Sequence, residues 1–485
     1  MNYEKMIVTD PSNNYQILAE VVASTPEEID VKVKLARESF VAWSQVSVQE
    51  RVKILRGLYD QFQKRQDEIA HAIAQEMGMP IAICKKIDVC VGLAHMQCYL
   101  DNAPTWLEPD TVYESYKERH VVYFEPHGVI GISIPWNYPF TNFIWAVIQN
   151  LVAGNTVVVK HSEYCMLATK LFEQIFIEAQ VPVGVCSFVY GKGFDAGNYL
   201  MHGDVDRIWF TGSTQTGQAI YQIAAQKMIP ATLELGGSAA GIVFDDIDLD
   251  LIMPSLYFYR FLNSGQTCDG LKRLIVHRSV FEKVVDKLTA FIATQKVGSA
   301  LDPATVMGPL VNQKQLEGVE AQVRDAVKRG ARVVTGGKRP EGLSGAYFEP
   351  TILTNVSRDM AVWAQEVFGP VLPIVPFDSE QEAIELANDT IYGLGGYIFT
   401  SDTQRAARVA AALKTGNISI NGANYVLGAD PFGGYKKSGI GRIHGKLGMR
   451  DLCAVKTVAT LKNRLLVKIM LLIYAWLPKS MRCWF

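Results

Sequence analysis

The sequence predicts an α/β fold with two successive parallel-sheet domains. Short runs rich in valine and isoleucine alternate with helical segments, which is the pattern of βαβ units. Several of these runs are apolar throughout, as expected for strands that are covered on both faces. The 485 residues, with 49% apolar and 20% charged side chains, also suffice for more than one globular domain.

The N-terminal part is predicted to be helical. Residues 26–43 carry apolar side chains at helical spacing, and Ser47 to Glu50 has the form of a capping box. A long amphipathic stretch follows to about Met77, and another helical segment covers about residues 80–104. We expect these helices to cover the core and to carry no chemistry.

Two alternating series of strands and helices follow, and they define the predicted domains. The first domain comprises residues 1–107 and 126–234, with strands at 129–134, 156–159, 187–190 and 207–210 and helices near 140–152, 166–179 and 216–227. The second domain comprises residues 235–425, with strands at 241–244, 274–277, 332–335 and 371–376 and helices at 248–262, 279–295, 313–329 and 380–388. Residues 425–460 are rich in glycine and are predicted to form a long ordered loop.

Composition excludes several classes of protein. The 47 basic and 49 acidic residues give a net charge of -2, so bulk charge does not favour nucleic-acid binding. None of the eight cysteines forms a C-x-x-C pair, which argues against a zinc ribbon or a disulfide scaffold, and no metal site is predicted. The N-terminus lacks a signal-peptide layout and no apolar run spans a bilayer, so a cytoplasmic location is expected.

Two segments contain residues suited to covalent and base catalysis. Cys268 lies between glycines in the loop GQTCDG, where a nucleophilic thiolate has backbone freedom and exposure. Glu234, in LELGG, ends an apolar strand, where burial raises a carboxyl pKa into the range of a general base. Taken alone, an ordinary loop cysteine and a solvent-facing strand-end glutamate fit these segments as well.

Four further segments are suited to holding an anion or a nucleotide. Asn137, in IPWNYP, can aim its amide at an oxyanion, or it can simply form a turn between two prolines. The segment FTGSTQTG, residues 210–217, can hold a phosphate at a helix N-terminus, although it is not G-x-G-x-x-G. Lys160 and Glu163 follow a strand where open sheets bind nucleotides, and a charged turn is the alternative. The segment QEVFGP, residues 365–370, combines a carboxylate with an aromatic ring, or forms an ordinary turn with a core phenylalanine.

Together these motifs closely resemble the NAD(P)-dependent aldehyde dehydrogenase superfamily over about residues 10–460. ELGG, GQTC with Cys268 34 positions after Glu234, and EVFGP occur in the order typical of that family. The resemblance implies a Rossmann-type NAD-binding domain and an α/β catalytic domain. It also implies a small β oligomerisation extension, formed by residues 108–125 and 442–462, that pairs subunits into homodimers or homotetramers.

The resemblance also implies the site residues and the reaction. Cys268 is the expected nucleophile, Asn137 and the Cys268 backbone N–H the oxyanion hole, and Glu234 the base that activates water. The expected cofactor is NAD, with NADP possible, and the residues implied for it are Pro135, Trp136, Lys160, Glu163, Gly212, Ser213, Gly217, Glu366 and Phe368. Trp145 and Phe432 are expected to line the aldehyde pocket. The expected activity is oxidation of an aldehyde through thiohemiacetal and thioester intermediates, with a CoA-acylating enzyme or a non-enzymatic structural role as the alternatives.

Several positions depart from the family pattern. His161 stands where proline is common, Ser238 where Lys or Asn is usual, and Ala146 where lysine is frequent. Asp269 directly follows the nucleophile, where a carboxylate makes a thiolate harder to form. The basic, apolar tail of residues 463–485 is expected either to lie in a membrane interface or to dock on the protein.

Overall fold

The computed structural model describes residues 4–462 and 464–476. Within them the strands are β1 (Lys5–Asp10), β2 (Gln16–Val22), β3 (Asp110–Glu114), β4 (Glu118–Pro126), β5 (Val129–Ile134), β6 (Thr156–His161), β7 (Cys186–Val189), β8 (Arg207–Thr211), β9 (Ala231–Glu234), β10 (Ala239–Val243), β11 (Leu271–His277), β12 (Arg332–Thr335), β13 (Thr351–Thr354), β14 (Val371–Phe377), β15 (Gly396–Phe399), β16 (Ser419–Ile420), β17 (Gly439–Ile440) and β18 (Cys453–Leu461).

The α-helices of the same residues surround these strands. They are α1 (Pro26–Trp43), α2 (Val48–Lys64), α3 (Gln66–Met77), α4 (Ile81–Ile83), α5 (Cys90–Trp106), α6 (Pro139–Phe143), α7 (Gln149–Ala153), α8 (Met166–Glu178), α9 (Asn198–His202), α10 (Thr214–Lys227), α11 (Leu249–Phe261), α12 (Phe281–Ala293), α13 (Gln313–Lys328), α14 (Ala361–Ala364), α15 (Glu380–Asn388), α16 (Thr403–Ala412), α17 (Gly445–Asp451) and α18 (Arg464–Trp476). Wider π-helical turns join α4 to α5 and α6 to α7.

The first large sheet has the strand order β17-β9-β8-β5-β6-β7 and is parallel except for β17. The chain runs outward from β5 through β6 to β7 and then returns to β8 on the other side of β5. The carboxyl ends of β5 and β8 therefore flank the point where the strand order reverses. Open α/β sheets bind ligands at such a switch point.

The second large sheet has the order β12-β13-β14-β11-β10-β15-β16 and is parallel except for β12. Its central strands β10, β11 and β14 are almost entirely buried. Helices α11 and α12 pack against one another and against β11. The prediction of an α/β fold with two parallel sheets is confirmed, while the assignment of residues to domains stays a prediction.

A separate antiparallel sheet, in the order β18-β4-β3, joins two segments that are distant in the sequence. Its strands lie within the two ranges that the resemblance implies for the extension, except for the last residue of β4, Pro126. The N-terminal hairpin of β1 and β2 forms a fourth, two-stranded sheet, which the sequence analysis did not anticipate.

One prediction of local structure was wrong. The range 425–460 is not a loop throughout, since it contains β17, α17 and most of β18. The amphipathic stretch after Ser47 forms two helices, because α2 ends at Lys64 and α3 begins at Gln66. In the predicted helical segment of about 80–104, Ile87 and Val91 line the cavity described below.

Between residues 4 and 476, residue 463 excepted, no helix combines the length and the apolar character needed to cross a bilayer. Helix α18 follows directly after the three-stranded sheet, and most of its described side chains are apolar. The large aliphatic side chains among them and Trp476 are exposed, from 46% for Ile469 to 90% for Trp476, whereas Tyr474 is partly buried. The part of the predicted tail at 477–485 lies outside the described residues, as does residue 463.

Candidate active site

A cavity of about 570 Å³ opens where the carboxyl ends of β5, β8 and β9 meet the loop before β11. It brings together most of the site residues that the sequence indicated. Those that line it are Pro135, Trp136, Asn137, Trp145, Gly212, Ser213, Glu234, Cys268, Glu366 and Phe368. Residues from both large sheets therefore form one site.

The loop that carries Cys268 has an unusual backbone. Asn263, Ser264 and Gly265 have φ values of 50°, 56° and 73°, in the left-handed region that costs non-glycine residues energy. Hydrogen bonds hold this conformation, because Asn263 Nδ2 donates to Asn137 O at 2.7 Å and Ser264 Oγ to Gly308 O at 2.8 Å. A Cβ on Gly265 would lie 2.3 Å from Gly369 O, so only glycine fits there.

Asn137 is fixed by three neighbours. Its Nδ2 donates to Gln266 O at 3.1 Å, and its Oδ1 accepts from Asn142 Nδ2 at 3.2 Å. The Asn263 side chain accounts for the third contact through the main-chain oxygen. A side-chain amide carries two N–H groups, so one remains to face an oxyanion in the cavity that Asn137 and Cys268 share.

Glu234 ends β9 and is 5% exposed. Neither of its carboxyl oxygens has a hydrogen-bond partner among the described residues, although both are buried. Burial raises the pKa of Glu234 well above its ordinary value, Asp269 raises it further, and Arg442 opposes this. An unpaired carboxyl group at the wall of a cavity is suited to accept a proton from water.

Opposing charges act on the Cys268 thiol. Burial raises the pKa of the Cys268 thiol well above its ordinary value, and the Asp269 carboxylate adds to that shift, whereas the Lys272 ammonium lowers it. The distance from Cys268 Sγ to Asp269 Oδ1 is 3.9 Å. Lys272 is fully buried and donates to Cys268 O at 3.0 Å and to Gly237 O at 2.9 Å.

The same lysine links the nucleophile loop to the predicted ribose ligand. Lys272 Nζ forms an ion pair with Glu366 Oε1, which also accepts from the Gly237 N–H at 3.1 Å. Phe368 packs edge-on against Trp136 at 5.6 Å and lies 5.1 Å from the Lys272 ammonium. A Cβ on Gly236 would lie 2.0 Å from Glu366 Oε2. The absence of a side chain at Gly236 therefore lets the Glu366 carboxylate approach the backbone.

Other predicted nucleotide ligands lie outside the lining of the cavity. Lys160 Nζ and Glu163 Oε2 are 2.8 Å apart at the carboxyl end of β6. Burial opposes ionisation of Glu163, but Lys160 and backbone N–H groups hold the pKa of this carboxyl below its ordinary value. Gly217 does not contact the cavity. It lets α10 pack closely on Leu235, because a Cβ there would lie 2.3 Å from Leu235 Cδ2.

Phe432 is not among the residues that line the cavity. It is 1% exposed and packs behind Trp145, with ring centroids 5.7 Å apart. Trp145 itself lines the cavity and stacks on His95, whose Nδ1 accepts from the indole N–H. His95 Nε2 then donates to Val426 O at 3.2 Å, so this histidine ties Trp145 to the loop at the opposite wall.

Sequence reasoning missed Lys272, Tyr397, Tyr425 and the helical residues Ile87 and Val91. Lys272 and Arg273 are consecutive basic residues inside the buried strand β11, and that pattern was a usable signal. Arg273 shows a structural use of the same pattern, since it donates to the main-chain oxygens of Ser238, Leu386 and Ala387. The tyrosines had no local signal, because only the fold brings them to Asp269.

The residues present fit a dinucleotide. Carboxylates suited to ribose hydroxyls lie at Glu163, just after β6, and at Glu366 in the cavity lining. The 14-residue helix α10 begins at the cavity wall, with Ser213 as its N-cap. A helix N-terminus favours anionic groups such as a pyrophosphate.

Comparison with known proteins gives consistent results. Residues 1–458 match the sequence profile described as "Aldehyde dehydrogenase family". The chain is 37% identical to aminoaldehyde dehydrogenase 1, peroxisomal, of Pisum sativum, over 91% of this chain and 90% of the relative. It is 35% identical to the mitochondrial succinate-semialdehyde dehydrogenase of Arabidopsis thaliana, over 93% of this chain and 85% of the relative.

Solved structures agree with the sequence relatives. The NAD+ complex of an aldehyde dehydrogenase from Bacillus cereus superimposes with a TM-score of 0.91 at 34% identity, covering 95% of this chain and 94% of the other. An NADP-dependent enzyme of E. coli superimposes with a TM-score of 0.91 at 32% identity, covering 94% of this chain and 95% of the other.

Proposed function

The chain belongs to the aldehyde dehydrogenase family, and we propose that Cys268, Asn137 and Glu234 carry out its NAD(P)-dependent oxidation of an aldehyde to a carboxylic acid. One observation supports this assignment above the others. A thiol, a fixed amide and an unpaired carboxyl group line one cavity, although they are far apart in the sequence. Each is the type of group that one step of the reaction needs.

In the first half-reaction, the Cys268 thiolate adds to the aldehyde carbon and forms a hemithioacetal. The free N–H of Asn137 and the backbone N–H of Cys268 stabilise the negative oxygen of that adduct. Pro135, Trp136, Glu366 and Phe368 would hold the nicotinamide end of the cofactor, which would supply the hydride acceptor for the adduct carbon. The carbonyl then re-forms and leaves a thioester on Cys268.

In the second half-reaction, Glu234 takes a proton from water and the resulting hydroxide attacks the thioester. The C–S bond breaks, the acid leaves and the Cys268 thiolate is restored. Glu234 also bears on the CoA-acylating alternative, because such an enzyme passes the acyl group to a thiol and has no need of this base. Its unpaired, buried carboxyl group favours hydrolysis.

For the cofactor, Glu163 and Lys160 are assigned to the adenosine ribose, Ser213 and Gly212 to the pyrophosphate, and Glu366 to the nicotinamide ribose. Pro135, Trp136 and Phe368 are assigned to the walls beside the nicotinamide. Gly217 acts indirectly, by letting α10 pack on Leu235. The ionised state of Glu163 favours NAD over NADP, since a 2′-phosphate would meet a like charge.

Two surfaces are assigned to roles outside the active site, the three-stranded sheet to subunit assembly and helix α18 to membrane attachment. The three-stranded sheet is assigned to a homodimer or homotetramer interface, because β18 is an edge strand and exposes Val455, Val458 and Leu461. Light scattering that returns the 53.8 kDa monomer mass would contradict this.

Helix α18 is assigned to the interface of an anionic membrane, and the cytoplasm stays the predicted compartment. The side chains of Leu465, Leu472 and Trp476 are more than half exposed rather than packed on the same chain. Arg464, Lys468, Lys479 and Arg482 supply positive charge without any acidic residue in 463–485. A basic helix with apolar and aromatic side chains is typical of interfacial binding.

Replacement of the nucleophile tests the catalytic assignment. Cys268→Ala should abolish NADH formation from any aldehyde while NAD binding and the melting temperature are retained. Cys90→Ala is the matched control, because Cys90 is exposed and lies outside the cavity lining. Turnover by the Cys268 variant above a trace would refute the assignment.

A further inference from the structure

The active-site cavity has an unbalanced charge. Its lining includes the carboxyl groups of Glu234, Asp269 and Glu366, and none of its described lining residues is lysine, arginine or histidine. Glu234 is the proposed base and Glu366 is paired with Lys272. Asp269 therefore remains as a carboxylate that the proposed reaction does not use.

Asp269 is held beside the place where an aldehyde must react. Its Oδ1 lies 3.9 Å from Cys268 Sγ, and its Oδ2 accepts from Tyr425 Oη at 2.9 Å. Tyr397 Oη donates to its main-chain oxygen at 2.8 Å. Burial raises the pKa of Asp269, which the Tyr425 hydrogen bond opposes, so a cation bound in the cavity would favour the ionised form of this carboxyl group.

The rings beside Asp269 offer their faces, because their polar hydrogens already donate within the protein. Tyr397 and Tyr425 donate to Asp269, Tyr259 donates to Gly422 O at 2.8 Å, and the Trp145 N–H donates to His95. The ring centroids of Tyr259 and Tyr397 are 4.6 Å apart, and those of Tyr397 and Tyr425 are 6.1 Å apart. Aromatic faces beside a carboxylate favour an organic cation.

We propose that Asp269 is a specificity determinant that makes this site prefer aldehydes with an ammonium group a few bonds from the aldehyde carbon. The short chain length follows from the position of Asp269 next to Cys268. An aldehyde that carries a carboxylate would instead meet Asp269 as a like charge, and the described lining residues include no lysine, arginine or histidine to hold it. The inference rests on the proposed aldehyde oxidation and extends it to the substrate class.

The first test compares three aldehydes of similar length with the purified wild-type enzyme. 3-Aminopropanal should have a higher kcat/KM than butanal by about tenfold, the usual worth of a hydrogen bond to a charged group, and succinic semialdehyde should have the lowest. Equal values for 3-aminopropanal and butanal, or a preference for succinic semialdehyde, would overturn the inference. Oxidation of butanal in that case would leave the proposed function intact.

Variants then assign the preference to one carboxylate. Asp269→Asn should remove most of the ratio between 3-aminopropanal and butanal, and using the ratio cancels any general effect on Cys268. Asp269→Glu is the conservative control, because it keeps a carboxylate at this position and should keep a preference for 3-aminopropanal. A ratio unchanged by Asp269→Asn would refute the role of Asp269.

Direct binding gives a readout that requires neither turnover nor a stable variant. Propylammonium should raise the melting temperature of the wild-type enzyme and protect Cys268 from alkylation, whereas propanoate at the same concentration and ionic strength should do neither. Protection by propanoate alone, or by both ligands equally, would contradict the inference. If no aldehyde is oxidised but propylammonium protects Cys268, then the proposed function fails and the cation site stands.

Discussion

At the scale of single residues, burial and charge act against the two groups that the reaction needs ionised. The pKa of Cys268 and that of Glu234 are both raised well above their ordinary values by burial, and Asp269 adds to each shift. The neutral thiol and neutral carboxyl group are therefore favoured in the empty cavity. A cation bound beside Asp269 would favour both ionised forms, so the substrate itself would help to activate the site.

Glu234→Gln should separate the two half-reactions. Loss of the base should leave a burst of NADH and then slow the steady state by about 10²–10⁴-fold. Because the pKa of Glu234 is raised well above its ordinary value, the wild-type steady-state rate should increase with pH as Glu234 ionises, and the variant should lose that dependence. Stopped-flow absorbance measures both phases. A variant that slows hydride transfer alone, with hydrolysis unchanged, would assign Glu234 to another role.

Glu163→Gln should change the choice of cofactor. The carboxylate next to Lys160 is assigned to accept from ribose hydroxyls and would repel a 2′-phosphate, so the wild-type enzyme should prefer NAD and the variant should gain activity with NADP. The kcat/KM values for the two cofactors measure this. Glu282→Gln removes the same charge from an exposed site on α12 and should leave the preference unchanged. A wild-type preference for NADP would count against the assignment.

At the scale of elements, α18 differs from the other helices. Helix α12 buries Val284, Val285 and Leu288 against the second sheet, whereas α18 exposes its described apolar side chains. Each such side chain contributes roughly 1.5–3 kcal/mol when fully buried, and each basic side chain near anionic lipid adds about 1 kcal/mol. Partial insertion of several of them suffices for reversible binding.

Removal of residues 463–485 should abolish binding to vesicles that contain phosphatidylserine and leave the kcat/KM for short aldehydes unchanged. All the assigned catalytic residues precede this segment. Leu472→Asp in the full chain is the matched point variant and should weaken binding, as should added salt. Co-sedimentation measures the bound fraction. If vesicles are not bound and the melting temperature falls on truncation, then α18 docks on protein, either its own chain or a partner subunit.

At the scale of the whole molecule, buried neutral histidines should make the fold sensitive to acid. His161 donates to Pro139 O and accepts from the Ser162 N–H, which joins β6 to the Asn137 loop. Burial lowers the pKa of His95 and that of His161 to about 4. Below pH 6.5 the unfolded chain binds protons that the folded chain does not. Lowering the pH from 7 to 5 therefore lowers the free energy of unfolding by about 2 kcal/mol per histidine.

Melting temperatures recorded across that pH range test the expectation. The wild-type melting temperature should fall as the pH is lowered from 7 to 5. The melting temperature of the His161→Gln variant should fall by less, because glutamine keeps a donor and an acceptor but does not titrate. An equal fall in both proteins would assign the acid sensitivity to other groups.

Much of the fold was accessible from the sequence because its signals are local. The apolar runs that became β5, β6, β8 and β11 were placed to within a few residues, since a buried strand is recognisable from its own side chains. Short elements such as β13 and β16 were missed. Their few residues carry too little pattern, and only pairing with neighbouring strands defines them.

The sequence by itself determined the family, the reaction and the order of the motifs around Cys268, because residue types at a fixed spacing can be recognised in the sequence alone. Only the tertiary structure decided which groups share the cavity. It removed Phe432 from the lining, brought Lys272 to Glu366 and placed Tyr425 against Asp269. These contacts join residues far apart in the chain, and only the packing of the two sheets, which no local pattern encodes, sets their distances.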